Sequence, residues 1–570
     1  MKITVARTAG FCMGVRRAVE MALDASNSSL DSLYTYGPLI HNPQVMEVLL
    51  QKGISTIDKI PEKGNGIVLI RAHGIPPKEE KALSNAGFKV INATCPRVVM
   101  VQSIIKKYAE KGHKILIIGD KNHPEVKGLI GYSQKNGRIV SNINELEQLE
   151  EFDKAVIVAQ TTQDTIFFEK VEEWAKTKFP HYKIFNTICN STEKRQMETR
   201  NIADKNDAII VLGGKESGNT RRLFKIASKT GKKAFHIEDI SELDLSLLSS
   251  AQSIAITAGA STPNWIISKA YREIEKSLQT KSKISNAFYN TRDFLLHTNI
   301  MLAAGAGSMT YACSKLQSFE NVFIHTAIAF LYILSMQVMN NLFAIKSDQY
   351  NNPDRAQLYK NNYALFGTAT FVFGAAGLFL SSRTGITCFS LLLIMSILGL
   401  SYNLKIIPSF FGLKKIERIK DIPGAKTVLI AMAWGIVTSI LPAISNSGNL
   451  LSAFVVFLFS TGLVFVTTAL LDILGIQGDR ITGRETVPIL IGEKKSIAII
   501  KQVLILISII LISTSFFKII NSLGFFLVIQ PLLMLYITIY INKENIKSRI
   551  KFRFIIEFNY IIAGIIAVII

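Results

Sequence analysis

Three cysteines share one local setting, in which a short apolar strand is followed directly by a helix N-terminus. Cys12, Cys95 and Cys189 follow the predicted strands 3–5, 89–91 and 183–185. A helix N-terminus carries a partial positive charge that favours a thiolate. Because the first strand leads straight into Cys12 with no signal peptide, we expect a reducing, cytoplasmic setting. Three thiols there predict a metal-binding or catalytic role rather than a disulfide framework.

Other polar residues also follow predicted strands, at about 66–70, 114–118, 155–158, 208–212 and 254–257. Open parallel α/β sheets bind their ligands at this edge. A single histidine at a strand end is more often structural, but the joint occurrence predicts one shared site. Imidazoles, hydroxyls, an amide and glycines at helix N-termini suit a phosphate or diphosphate. The candidates are His41, His73, His123, Glu125, Thr161, Ser217, Gly218, Asn219 and Ser261.

Composition indicates two kinds of architecture in one chain. The protein has 570 residues, of which 49% are hydrophobic, and its mean hydropathy of +0.29 is high for a soluble protein. The first part alternates short β-branched runs with amphipathic segments, as in βα units with parallel strands. The second part consists of apolar blocks long enough to cross a bilayer as helices. We therefore expect an α/β domain at 1–280, a linker at 281–294 and an all-α membrane domain at 295–570.

Several motifs of the first part closely resemble the 4-hydroxy-3-methylbut-2-enyl diphosphate reductases (LytB/IspH). They lie at 9–18, 72–74, 93–96, 123–128, 160–162 and 258–261. The resemblance implies a three-lobed trefoil around a central [4Fe–4S] cluster held by Cys12, Cys95 and Cys189. It implies that Glu125 donates a proton and that the other candidate residues bind the diphosphate. Gly218 stands where many members have a second serine, so a backbone N–H replaces that hydroxyl or the donor is missing.

The chemistry implied by the resemblance is a reductive removal of a hydroxyl group. A [4Fe–4S] cluster with three thiolate ligands leaves one iron open to the substrate's allylic hydroxyl and supplies electrons. Loss of the hydroxyl as water needs a proton, which Glu125 would deliver. With two electrons from an external donor such as ferredoxin or flavodoxin, and two protons, the products are isopentenyl and dimethylallyl diphosphate. A zinc site of the Cys₃His type is the alternative for these residue types.

The second part predicts about nine transmembrane helices and an inner-membrane location. The apolar blocks lie near 296–313, 321–345, 362–382, 385–403, 427–446, 449–474, 497–519, 523–542 and 554–570. Loops expected on the side of the N-terminus are basic, and the alternate loops are nearly uncharged. By the positive-inside rule the first domain and the basic loops are cytoplasmic. Much of the formal net charge of +21 then faces anionic lipid or substrate, and no nucleic-acid partner is needed to explain it.

Two predicted cytoplasmic loops, at 340–348 and 472–488, carry acids at helix ends. Carboxylates in such positions are candidates for function. With residues 401–405 and 420–424, these loops resemble the UbiA family of membrane prenyltransferases. The resemblance implies that Mg²⁺ bridges a prenyl diphosphate, whose prenyl group is transferred to an unknown acceptor. This chain has fewer acidic residues than the family's motifs, because Ala344 and Gly475 stand at two positions where the family has an acid. The remaining candidate ligands are Asn340, Asp348, Asp472 and Asp479. The alternative is an inactive helical bundle that anchors the reductase.

Overall fold

A computed structural model describes residues 2–29, 31–279, 283–320, 322–402, 422, 424–543 and 549–570. The chain divides into two compact units, Met1–Gln279 and Thr280–Ile570. The first is an α/β unit and the second is entirely helical in its described residues.

The described part of the first unit contains twelve strands, ten α-helices and two short 3₁₀ helices, Ile240–Glu242 and Leu245–Leu248. The strands are β1 (Lys2–Val5), β2 (Leu33–Tyr36), β3 (Ile54–Ile57), β4 (Ile67–Ile70), β5 (Lys89–Asn92), β6 (Lys114–Ile118), β7 (Gly137–Val140), β8 (Ala155–Ala159), β9 (Lys183–Phe185), β10 (Ala208–Leu212), β11 (Lys233–Ile237) and β12 (Ser253–Ala258). The helices are α1 (Met13–Ser28), α2 (Pro43–Gln51), α3 (Pro77–Asn85), α4 (Pro96–Ala109), α5 (Pro124–Ile130), α6 (Ile143–Glu147), α7 (Thr165–Lys178), α8 (Asn190–Asp204), α9 (Gly218–Ser228) and α10 (Asn264–Gln279).

These strands form three parallel four-stranded sheets. Their orders are β1-β12-β10-β11, β3-β2-β4-β5 and β7-β6-β8-β9. The first sheet joins the two ends of the unit, because Ile3 of β1 lies opposite Ile254 of β12. Each sheet has a central strand that is apolar and fully buried, namely β4, β8 and β10. That pattern is typical of parallel sheets covered by helices on both faces.

Each sheet supplies one of the three cysteines. Cys12 follows β1 of the first sheet, Cys95 follows β5 of the second and Cys189 follows β9 of the third. The predicted strand-cysteine-helix arrangement is present at all three positions, and the three sheets agree with the three lobes expected from the resemblance.

The second unit is a bundle of helices. These are α11 (Lys283–His297), α12 (Ile300–Leu316), α13 (Phe323–Asn351), α14 (Pro353–Asn361), α15 (Tyr363–Ser382), α16 (Ile386–Ser401), α17 (Ala425–Gly435), α18 (Leu441–Ser445), α19 (Leu450–Ile481), α20 (Val487–Ile491), α21 (Glu493–Phe516), α22 (Leu523–Leu527), α23 (Ile529–Lys543) and α24 (Arg549–Ile569). A single π-helical turn, Ile436–Ile440, joins α17 to α18. Residues 281 and 282 of the predicted linker lie outside the described residues, and the rest of the linker is the start of α11.

Seven helical segments among the described residues are long and apolar enough to cross a membrane. They are Phe323–Asn351, Tyr363–Ser382, Ala425–Ser445, Leu450–Ile481, Glu493–Phe516, Leu523–Tyr540 and Ile550–Ile569. The other two predicted spans coincide with α12 and α16, which are shorter, at 17 and 16 residues. The second unit is thus a multi-pass membrane domain, and the number of nine spans stays a prediction.

Small residues let the membrane helices approach closely. On α12, a methyl group at Gly305 would lie 2.9 Å from the Cβ of Tyr560 on α24. Ala303 and Ala306 on the same helix are fully buried. In lipid, helices associate through van der Waals packing of this kind rather than through a hydrophobic driving force.

Candidate functional site

One cavity of the first unit contains all twelve residues that the sequence assigns to the reductase site. The space between its lining residues is about 740 Å³, part of which is open to solvent. Every one of these residues lies in the turn after a strand or in the first turn of the next helix. They are Cys12, Cys95, Cys189, His41, His73, His123, Glu125, Thr161, Ser217, Gly218, Asn219 and Ser261.

The three cysteines occupy N-cap positions of long helices. Cys12 precedes α1, Cys95 precedes α4 and Cys189 precedes α8. The N–H of Val15 donates to the Cys12 Sγ at 3.4 Å, as an N-cap acceptor does. Burial raises the pKa of the Cys95 thiol, while the backbone N–H groups that follow it act in the opposite direction. A metal centre bound to the thiolate would remove that cost, because coordination deprotonates a thiol.

The protein packs tightly around these thiols. A methyl group added at Gly14, on the first turn of α1, would clash with the Sγ of Cys95. The first turn of α1 therefore packs directly against Cys95, which follows a strand of the second sheet. Such an approach needs glycine.

Three imidazoles form a second group in the cavity. The ring centroids of His41 and His73 are 4.8 Å apart, those of His73 and His123 are 5.2 Å apart, and those of His41 and His123 are 5.9 Å apart. Burial lowers the pKa of all three rings, that of His123 to about 3. The rings are therefore neutral at pH 7 when no anion is bound.

Several buried polar atoms of the cavity lack a partner within the described protein. They include His41 Nε2, His73 Nδ1 and both side-chain atoms of Asn219. Because unsatisfied buried polar groups are costly, such atoms are suited to receive a ligand. Nearby, Ser217 caps α9 and accepts from the Thr220 N–H at 3.4 Å, and the Ser261 hydroxyl donates to the His41 carbonyl at 3.0 Å.

Glu125 is the buried acid of the cavity and is only 1% exposed. Its carboxylate accepts from the N–H of Thr161 at 2.6 Å and from the Thr161 hydroxyl at 2.8 Å. Burial nevertheless dominates and raises the pKa of Glu125 to about 7. A carboxyl group with that pKa is protonated in a large fraction of molecules at neutral pH and can donate a proton. Thr161 thus contacts Glu125 directly, in addition to its predicted contact with the diphosphate.

Arg222 lies next to the cavity, close to Gly218, and was not among the residues predicted from the sequence. Its Nη2 pairs with Asp120 Oδ2 at 2.8 Å, and its side chain is 11% exposed. Its Nη1 is buried, has no hydrogen-bond partner among the described residues and would lie 3.5 Å from a Cβ at Gly218. The residue stands on α9 among other basic side chains, so no sequence signal separates it from a solvated helix face.

In the second unit, the candidate acids lie on two helices, α13 and α19. Asp348 lies near the end of α13, Asp472 and Asp479 lie on α19, and each is 3% exposed. Asn340 lies on α13, about two turns before Asp348. Asn351 of α13 donates to Asp479 at 2.9 Å, which links the ends of α13 and α19. Residues 403–405, 420, 421 and 423 of the other two motifs lie outside the described residues.

The fold and the cavity define an α/β protein with a thiol-lined site beside donors suited to a phosphorylated ligand. Comparison with known proteins identifies a matching family for each of the two units. Residues 3–275 match the family model described as LytB protein, and residues 300–560 match the UbiA prenyltransferase family.

A 4-hydroxy-3-methylbut-2-enyl diphosphate reductase of Caldanaerobacter subterraneus subsp. tengcongensis is 43% identical over 284 residues, covering 49% of this chain and 98% of the relative. That of Aquifex aeolicus is 39% identical over 277 residues, covering 48% and 96%. A solved UbiA homolog from Aeropyrum pernix K1 is similar with a TM-score of 0.38 and 14% identity, covering 47% of this chain and 98% of that one.

The chain therefore belongs to the 4-hydroxy-3-methylbut-2-enyl diphosphate reductase family, and in it the reductase unit is joined to a membrane unit of the UbiA prenyltransferase family. Its first unit is a reductase of isoprenoid biosynthesis.

Proposed function

We propose that the first unit reduces 4-hydroxy-3-methylbut-2-enyl diphosphate to isopentenyl and dimethylallyl diphosphate, with Cys12, Cys95 and Cys189 holding a [4Fe–4S] cluster. The observation that carries this proposal is the shared cavity, in which one thiol from each of three sheets faces phosphate-binding donors. When bound, the cluster would supply electrons and an iron site for the hydroxyl oxygen.

The spacing of the ligating atoms argues against the Cys₃His zinc alternative. Within the described part of the chain, the side chains close enough to share a single metal ion are His41, His73 and His123, whose ligand atoms lie within 4.8 Å of one another. No cysteine belongs to that group. A Cys₃His zinc site would need three sulfurs and one nitrogen around one ion.

The chain's own residues bind the diphosphate and handle the proton. The diphosphate is received by His41, His73, His123, Thr161, Ser217, Asn219 and Ser261, with the N–H of Gly218 in place of a hydroxyl. The proton of Glu125 goes to the departing hydroxyl, whose C–O bond breaks to release water. Two electrons enter from an external donor such as ferredoxin or flavodoxin, and a second proton bonds to carbon. The carbon that receives it decides which isomer forms.

Metal analysis of the full chain tests this proposal. After anaerobic purification in detergent, we expect about four irons and four sulfides per chain. Cys95→Ser should lose most of this iron, whereas the matched variant Cys388→Ser should keep it, because Cys388 is buried in the membrane helix α16. Stoichiometric zinc without iron would show that the three thiols hold a different centre.

For the membrane unit, the family match suggests transfer of a prenyl group from a prenyl diphosphate to an acceptor, whereas a specific observation favours anchoring. All three remaining motif acids are bonded to side chains of their own unit. We therefore propose that this unit holds the reductase at the inner membrane, with the first unit in the cytoplasm. Radiolabelled prenyl diphosphates of several lengths, given to the full chain with aromatic and lipid acceptors, should yield no prenylated product. Transfer that is lost in Asp348→Asn would establish the enzymatic alternative.

A further inference from the structure

The membrane unit carries partly buried cations beside two of its motif acids. Asp348 accepts from Arg355 Nε at 2.8 Å, across the junction between α13 and α14. Asp472 accepts from Lys426 Nζ at 2.7 Å and from the Thr427 hydroxyl at 2.9 Å, between α17 and α19. These bonds bring residues from four helices into two ion pairs.

Both acids are shielded from water, whereas their cationic partners are only partly buried. The side chain of Arg355 is 13% exposed and that of Lys426 is 33% exposed, while the paired acids are nearly inaccessible. A buried carboxylate needs a counter-charge and hydrogen-bond donors. Arg355 and Lys426 provide both. The charge of these two acids is therefore already compensated within the chain.

These residues do not fit a divalent cation. Mg²⁺ requires near-octahedral oxygen coordination and sheds water reluctantly, so a protein holds it with one or two carboxylates that are free to coordinate it, together with substrate phosphates. Here Ala344 and Gly475 contribute no oxygen from a side chain. Asp348 and Asp472 are committed to cations, and Asp479 accepts from Asn351. An incoming Mg²⁺ would have to displace Arg355 and Lys426 and meet their repulsion.

We propose that the membrane unit has a metal-free charge centre in which Arg355 and Lys426 replace the divalent cation. The two pairs tie α13 to α14 and α17 to α19, and the constellation binds neither Mg²⁺ nor a prenyl diphosphate through Mg²⁺. The inference deepens the anchoring proposal and is independent of the reductase assignment, because its test measures metal at the membrane unit's carboxylates.

The direct test is Mn²⁺ binding to the full chain in lipid nanodiscs, followed by the electron paramagnetic resonance signal of the free ion. The wild-type chain is compared with the variant Asp348→Asn/Asp472→Asn/Asp479→Asn. Any ion held by His41, His73 and His123 is common to both and cancels. We expect the two binding curves to coincide through millimolar Mn²⁺. An additional bound Mn²⁺ in the wild-type chain that disappears in the triple variant would overturn the proposal.

A second arm removes the cations and keeps the acids. Lys426→Met should lower the melting temperature of the chain and increase Mn²⁺ binding, more so when combined with Arg355→Met, because the acids are then unpaired. Adding Asp472→Asn to Lys426→Met should restore much of the melting temperature and abolish the new binding. Lys495→Met is the matched control, since Lys495 is an exposed lysine of the same unit. If Lys426→Met behaves like Lys495→Met in both measurements, the ion pair does not compensate Asp472 and the proposal fails.

Discussion

Glu125 connects burial to acid catalysis, because the same desolvation that raises its pKa to about 7 keeps its proton available. The acidic form is the active one, so kcat/KM should fall as the pH rises through about 7. Glu125→Gln keeps the size and can still accept from the Thr161 N–H, while its NH₂ group donates to the Thr161 hydroxyl, but it carries no acidic proton. We expect it to bind substrate and to reduce it at least about 10²-fold more slowly.

The decisive measurement for Glu125 is the dependence of kcat/KM on pH, measured anaerobically for the wild-type protein and for Glu125→Gln. In Glu125→Gln the decline near pH 7 should vanish along with most of the rate. A variant with normal turnover, or with the same decline, would mean that another group donates the proton.

The three buried imidazoles should make diphosphate binding depend on pH. Burial lowers their pKa values in the free protein, and a bound polyanion raises them again because it stabilises the charged ring. Binding therefore takes up protons. As the pH is lowered, the Kd for inorganic pyrophosphate should fall about tenfold per pH unit for each proton taken up.

Calorimetry in buffers of different ionisation enthalpy measures this proton uptake. His123→Asn should reduce it, whereas His181→Asn should not, because His181 is exposed and bonds to the Phe152 carbonyl. Proton release, or no linkage, would show that the rings do not face the anion.

Arg222 places a charged donor close to Gly218. At that position many members of the family have a serine, whose hydroxyl this chain lacks. A charge-assisted hydrogen bond is worth roughly 1.5–3 kcal/mol, so Arg222→Gln should raise the KM for the diphosphate substrate by roughly 10- to 100-fold. The matched variant Lys225→Gln, an exposed change on the same helix, should leave KM near the wild-type value. An unchanged KM in Arg222→Gln would remove this residue from the site.

At the scale of elements, each sheet places one thiol at a helix N-terminus, and the thiols meet only if α1 and the turn before α4 approach closely. Gly14 permits that approach. Gly14→Ala should therefore displace Cys95 and strip most of the iron while the first unit stays folded. The neighbouring change Met13→Ala alters an exposed side chain and should keep the iron. Full iron content and activity in Gly14→Ala would show that the site tolerates the shift.

The elements around the site could be predicted because their signals are local. A β-branched run followed by a cysteine or histidine and a helix start predicts both the strand and the position of the residue. Cys12, Cys95 and Cys189 were placed correctly for that reason. Pairing between distant strands was not predictable from such signals, since β1 lies beside β12 across almost the whole unit.

Long-range ion pairs were equally inaccessible to sequence reasoning. Arg222 meets Asp120 from 102 positions away, and Lys426 meets Asp472 from 46 positions away. A basic residue on a helix most often faces solvent, so its partner appears only when the helices are packed. The two short helices α12 and α16 show a related limit, because hydropathy locates an apolar block better than it fixes the length of a helix.

At the scale of the whole molecule, one chain joins a water-facing α/β unit to a multi-pass membrane domain. The reductase's substrate and products are small, charged diphosphates, so the first unit's chemistry does not itself require a membrane. If the second unit anchors the first, as proposed, the five-carbon products would be released near the bilayer. Basic loops on the predicted cytoplasmic side also place positive charge next to anionic lipid.

The reductase assignment depends most directly on turnover by the intact protein. The full chain, purified anaerobically in nanodiscs and supplied with a chemical or flavodoxin-type electron donor, is given 4-hydroxy-3-methylbut-2-enyl diphosphate. Products are measured by mass spectrometry. We expect isopentenyl and dimethylallyl diphosphate in an amount equal to half the electrons consumed, and no product from Cys95→Ser. A wild-type chain that carries its full iron complement, binds the substrate and forms neither product would contradict the assignment.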